Sequence, residues 1–299
     1  MPEKVHLDFN DQISQNKIKS VFLMISIFVI IILFGYVISF AFEPGFFFII
    51  MIISIIFSLF YLLISYYNSD KIAIASVGAK IADEKTHREY YSLVEGLTIA
   101  SGLPMPKLYV MNSKQINAFA SGRDPQHAVI CVTEGALEKL NKRELEAVLA
   151  HELGHVGNYD IRFITLVAVM VGMVAIISEI FLRSLWFKSA DSDNKGSMIF
   201  IIIGIAFAIL APIVVQLVQL AISRKREFSA DATAVKFTRY PDALINALKK
   251  IRSDYEKEGV MNKKQVSKAV APLFFANPFG DILSTHPSIS KRIEALEKM

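Results

Sequence analysis

Cysteine is almost missing from these 299 residues: Cys131 stands alone. A disulfide within the chain is therefore excluded, and a Cys-based metal site has nothing to build on. The lack of oxidative cross-links favours a reducing compartment. Net charge is scarce as well. The 32 basic residues nearly balance the 28 acidic ones, leaving +4. That balance, with no basic tract interleaved with aromatics, argues against nucleic acid as a partner. The chain also has no internal repeat and no low-complexity tract.

What it has in excess is apolar sequence. Hydrophobic residues make up 53% of the chain and the mean hydropathy is +0.43. They are gathered in runs, which is the mark of membrane spans. The first, "VFLMISIFVIIILFGYVISFAF" at 21–42, exceeds the roughly 20 residues needed to cross a bilayer. It is too long for the apolar core of a signal peptide, about 7–15 residues. Pro44 and Gly45 form a turn, and "FFFIIMIISIIFSLFYLLISYY" at 46–67 is the second run, ending on an interfacial pair, Tyr66 and Tyr67. Lys17, Lys19, Lys71 and Lys80 flank the outer ends of this hairpin, while the loop carries only Glu43. The positive-inside bias puts both ends in the cytoplasm. Two further runs, 163–182 and 198–222, read as a second hairpin; the latter contains Pro212, Gln216 and Gln219.

Between and after the hairpins the chain is soluble in character. "KLYVMNS" (107–113), "NAFASG" (117–122) and "HAVICVTEG" (127–135) are short β-leaning runs. Two helical patterns follow, the second opened by Asn141 and Glu144 as a capping box. "PDALINALKKIRSDYEKEG" and "SISKRIEALEKM" predict two more helices. The expected architecture is a mainly α membrane protein. Four apolar helices accompany a zincin-like α+β domain with a small β-sheet. The expected division is a membrane hairpin (1–67), a first catalytic part (68–160), a second hairpin (161–222) and a second catalytic part (223–299).

The chemistry is concentrated in "HELGH", 151–155. Positions i and i+4 share one face of a helix, so His151 and His155 point the same way. Glu152, one position round, cannot be a third ligand but can reach a metal-bound water. This is the pattern of two zinc ligands plus a general base. Chance predicts on the order of 0.01 such motifs in a chain of this composition. A third ligand must come from elsewhere. "SRKREFSADATA" (223–234) begins where the fourth apolar run ends, and two crossings return the chain to the side of His151. Glu227 is the candidate ligand there. Asp231, four residues on, could accept the free N–H of a ligand histidine. An ordinary polar face beside Arg224, Lys225 and Arg226 is the competing reading.

"NAFASG", "HELGH", "REFSAD" (226–231) and "STHP" (284–287), in that order along the chain, resemble the HtpX-like membrane zinc metalloproteases, a group related to the CaaX prenyl endopeptidases. The likeness spans nearly the whole chain. It implies one zinc per chain held by His151, His155 and Glu227, with Glu152 as base and Asp231 behind a ligand histidine. It implies that Asn117, Ala118 and Phe119 form an edge strand pairing with substrate backbone, and that His286 steadies the oxyanion. It implies cleavage of misfolded or damaged membrane proteins at the cytoplasmic face of the cell membrane, with membrane proteins or peptides as substrates and the bilayer as a partner. A dedicated processing protease for lipidated or peptide precursors, and a non-enzymatic zinc-binding membrane protein, are the alternatives.

Overall fold

The computed structural model describes residues 9–39, 44–168, 224–258, 273–276 and 287–299. The apolar run at 198–222, the run at 163–182 beyond residue 168, and His286 lie outside them. The described chain is mostly helical, with one small mixed sheet.

Helices α1 (Phe9–Ser39) and α2 (Phe47–Tyr67) form the first hairpin, joined through a 3-10 turn at Pro44–Phe46. Within them, Ile13–Leu33 and Phe47–Tyr67 are long and apolar enough to cross a membrane. Phe48, Ile53 and Phe60 of α2 are each more than half exposed. A helix apolar on every face, with that surface uncovered, suits lipid and not water. Helix α1 starts well before the apolar run, and its lower half has a different task. Leu23, Ile27 and Ile31 pack against Phe163, Leu166 and Val167 of the helical stretch 160–168. Below them, buried Asn16 donates to the carbonyl of Asn158 at 3.0 Å and to Asp160 Oδ1 at 2.8 Å.

A short helix α3 (Ser69–Ser76), strand β1 (Lys80–Ile81) and helix α4 (Arg88–Ser101) lead into the sheet. Strands β2 (Lys107–Met111), β3 (Ala118–Gly122) and β4 (Ala128–Thr133) fall within the three β-leaning runs. The order is β1-β2-β4-β3, with β2 parallel to β4 and the other pairs antiparallel. Strand β3 is therefore an edge. Side chains alternate across a strand. Ala118 and Ala120 face the main core with Ile130 and Val132. Phe119 faces the other way, with Val129 and Cys131.

Helices α5 (Glu134–Lys139) and α6 (Lys142–Gly157) follow. The predicted capping box is formed: Asn141 accepts from the Glu144 N–H, and Glu144 from the Asn141 N–H. Helix α6 is the central element. Leu149, Ala150 and Leu153 are fully buried. It packs on β3, α4, α7 (Arg224–Thr238) and α8 (Pro241–Glu258), and α9 (Ile289–Leu296) closes over α7 and α8. Small residues set these approaches. Ala118 and Ala120 lie on the buried face of β3, in the same core as Leu149 and Leu153 of α6. A Cβ added at Gly154 would lie 3.2 Å from Thr233 of α7, tighter than ordinary contact.

Candidate active site

His151 and His155 project from one face of α6 into a buried space under β3. Their Nε2 atoms are only 3.1 Å apart, with the rings edge to face. Glu227, on α7, brings Oε2 to 3.7 Å from His151 Nε2 and Oε1 to 3.7 Å from His155 Nε2. The three ligand atoms lie within 4.8 Å of one another, and all three side chains are buried.

The outer nitrogens fix the tautomers. His151 Nδ1 is 2.9 Å from Asp231 Oδ1, and His155 Nδ1 is 3.1 Å from Asp160 Oδ2. Arg292 Nη2 also lies 3.3 Å from His151 Nδ1. Yet a guanidinium can only donate, and Asp231 is nearer, so the Nδ1 proton goes to the carboxylate. Both imidazoles then turn a bare lone pair toward the same point, where Glu227 adds a carboxylate. Two Nε2 atoms 3.1 Å apart must share a cation, either a proton passed from the His155 ring to His151 or a metal ion that displaces it. The donor set therefore fits a metal ion, with a carboxylate behind each imidazole.

The charges agree. Burial, helped by Arg292, lowers the His151 pKa to about 4 despite the Asp231 bond, so this ring is neutral. Burial also works against a charged His155, but Asp160 and Glu227 outweigh it and push that ring up to about 9. The pocket is thus a place where positive charge is wanted. Burial alone would raise Asp231, but the Arg292 guanidinium holds it below the usual carboxylate range.

Glu152 is 1% exposed, and burial lifts its pKa to about 7, with Glu227 adding to the rise and His155 and a bond from the Ala120 backbone opposing it. Among the described residues, its Oε1 has no hydrogen-bond partner. A buried carboxylate near neutrality with an idle oxygen is suited to exchange a proton with water.

Residues 84–299 match the sequence model of peptidase family M48. The chain belongs to that family. "Protease HtpX homolog" of Thermoanaerobacter pseudethanolicus is 42% identical over 82% of this M48 chain and 83% of its own length. The homolog from Dictyoglomus turgidum is 38% identical over 97% and 95%. Among solved structures, S. mikatae Ste24p is similar at a TM-score of 0.49 and 20% identity, covering 95% of this chain; the chain spans 66% of that one.

Of the residues singled out in the sequence, His151, Glu152, His155, Glu227 and Asp231 come together in this one pocket of the M48 chain. Asn117, Ala118 and Phe119 lie on the neighbouring edge, with the Asn117 amide bonded to Tyr255 and Ala276 and not to the histidines. Two further participants, Asp160 and Arg292, lie outside the sequence motifs. Asp160 lies five residues after His155, beyond the helix end. The chain turns back there through Tyr159, whose φ of +59 is uncommon for a non-glycine residue. Arg292 stands in a short helix that reads as a polar surface, yet it is 1% exposed and grips Asp231 at 2.6 and 2.9 Å. An acid just past "HELGH", inside "GNYD", was the available clue for the first. Nothing local pointed to the second.

Proposed function

We propose that this M48 chain is a membrane-bound zinc endopeptidase whose active site faces the cytoplasm. In this reading it cleaves misfolded or damaged membrane proteins. The observation that carries it is the convergence of two Nε2 lone pairs and the Glu227 carboxylate, each imidazole backed by an acid, beside the idle oxygen of Glu152. Two imidazoles and one carboxylate are a set that suits zinc with a position left for water.

His151, His155 and Glu227 would hold the ion. Bound there, it would acidify a water and polarise the peptide carbonyl. Glu152 would take the proton from the attacking water and hand it to the leaving amine. Asp231 and Asp160 keep both imidazoles in the ligating tautomer. Arg292 holds Asp231 charged, and so keeps it a good acceptor for His151.

The purified chain is expected to contain about one zinc and to cleave casein. Removing the metal with a chelator should abolish cleavage, and added zinc should restore it. Persistent cleavage by a metal-free chain would rule the mechanism out.

The orientation rests on the lysines flanking the first hairpin. It is testable by cysteine labelling, because the one native thiol, Cys131, is 1% exposed and gives little background. Cysteines introduced at positions 85 and 250 should react with a membrane-impermeant reagent only after cells are opened. Labelling of either in intact cells would reverse the topology.

A further inference from the structure

Strand β3 is the free edge of the sheet, yet the chain's own residues 273–276 lie along it. Phe274 pairs antiparallel with Phe119. The Phe275 N–H donates to the Ala118 carbonyl at 2.8 Å. The Asn117 side chain accepts from the Ala276 N–H at 3.3 Å and donates to the Ala276 carbonyl at 2.8 Å. Arg292 Nη1 donates to the Phe275 carbonyl at 3.1 Å. Side chains alternate as in a strand. Phe274 stacks near Phe119, with ring centroids 5.0 Å apart, while Phe275 turns toward α6. Its ring meets the His151 ring edge to face at 4.7 Å, under the Arg292 guanidinium at 4.3 Å.

Two features separate this from an ordinary fifth strand. First, much of the binding is done by side chains, Asn117 and Arg292, acting on main-chain groups. Such contacts hold any backbone in one register, whatever its sequence. Second, Leu273 and Phe274 pack with Phe119 in the apolar cluster on the far face of the sheet, whereas Phe275 alone of the four fills a space whose wall is a candidate metal ligand, His151. The register also singles out one bond. Phe275 lies against His151. Phe274 is paired with Phe119, the residue before Ala120, whose backbone reaches Glu152. The peptide bond between Phe274 and Phe275 is therefore the one that immediately precedes the residue lying against His151.

We propose that Leu273–Ala276 occupies the substrate groove as an internal stand-in, and that its register defines specificity: a large apolar or aromatic residue immediately C-terminal to the scissile bond. The idea rests on the peptidase reading above. Asn117 and Arg292 are the positioning residues that clamp the two residues after the cut. In the reaction, water oxygen bonds to the carbonyl carbon and the C–N bond breaks. The water proton passes by way of Glu152 to the new amine, leaving a carboxyl terminus and an amino terminus. Proline is excluded from the first two positions after the cut, since each must donate an N–H.

The test has two arms, both on the full chain. In the first, the zinc-loaded wild type digests casein and the cuts are mapped by mass spectrometry. Phe, Leu, Met and Tyr together should be enriched about tenfold at the first position after the cut, the selectivity an apolar pocket supplies, with no proline at the first two. Cleavage without that preference overturns the proposal. The second arm needs no cleavage. A labelled peptide, Ala-Pro-Leu-Phe-Phe-Ala-Asn-Pro, is titrated onto the full chain carrying Glu152→Gln, with and without Phe275→Gly, so that it is bound and not cut. Binding should be at least about tenfold tighter with Phe275→Gly, because a tethered occupant taxes the affinity of its competitor. The same peptide with its second phenylalanine replaced by glycine should not bind. Equal affinity for both chains overturns the proposal. A wild type that cleaves nothing, with peptide binding in this pattern, would sink the peptidase reading and leave the groove assignment standing. If Phe275→Gly does not fold, the wild-type cut map decides.

Discussion

Glu152→Gln is expected to lower peptide cleavage by about 10²–10⁴-fold, the range typical of losing a general base, while zinc stays bound. Gln has nearly the same size and keeps the packing under β3. His151, His155 and Glu227 are untouched, so the metal should be held as before. What is lost is a carboxylate, lifted by burial to about 7, that can take a proton and return it. The two readouts belong on one preparation: zinc content and casein cleavage. Full zinc with wild-type cleavage would show that Glu152 is not the base and that the hydrolytic scheme is wrong.

The second large effect concerns the metal itself. Changing a residue behind a ligand typically weakens metal affinity about 10–100-fold. Asp231→Asn should fall in that range, since the amide is a poorer acceptor for His151 and removes the nearest counter-charge of Arg292. Glu227→Ala removes a direct ligand and should cost more than Asp231→Asn. His151→Ala should be at least as severe. Zinc titration against a competing chelator gives the order. Wild-type affinity in Glu227→Ala would take Glu227 out of the ligand set and turn attention to His286.

The parts of this site that were legible in the sequence were local or rested on one helix. The i, i+4 spacing of His151 and His155 places two imidazoles together whatever surrounds them. The Asn141 capping box needs only four residues. Glu227 was legible because the first two ligands demanded a third. The rest depended on distant meetings. Asp160 reaches His155 only because the backbone at Tyr159 adopts a left-handed conformation. Arg292 meets Asp231 across 61 positions, and an arginine in an amphipathic helix ordinarily points to water. The strand-like segment 273–276 carries no alternation long enough to announce itself. The sheet order, with β4 central and β3 at the edge, follows from the parallel pairing of β2 with β4, which short apolar runs do not reveal.

Asn16 gives the architecture a further meaning. The M48 match begins at residue 84, so α1 lies outside the segment that defines the family. Yet the amide of Asn16 donates to Asp160, the acid that orients His155. The boundary of the recognisable domain is therefore not an energetic boundary. A shortened chain beginning after α2 would keep every candidate ligand and the base. It would also leave the Asp160 carboxylate without that donor and strip the apolar cover from Phe163, Leu166 and Val167. The first apolar hairpin is thus part of the scaffold of the candidate site, and trimming it to gain solubility would loosen the hold on His155.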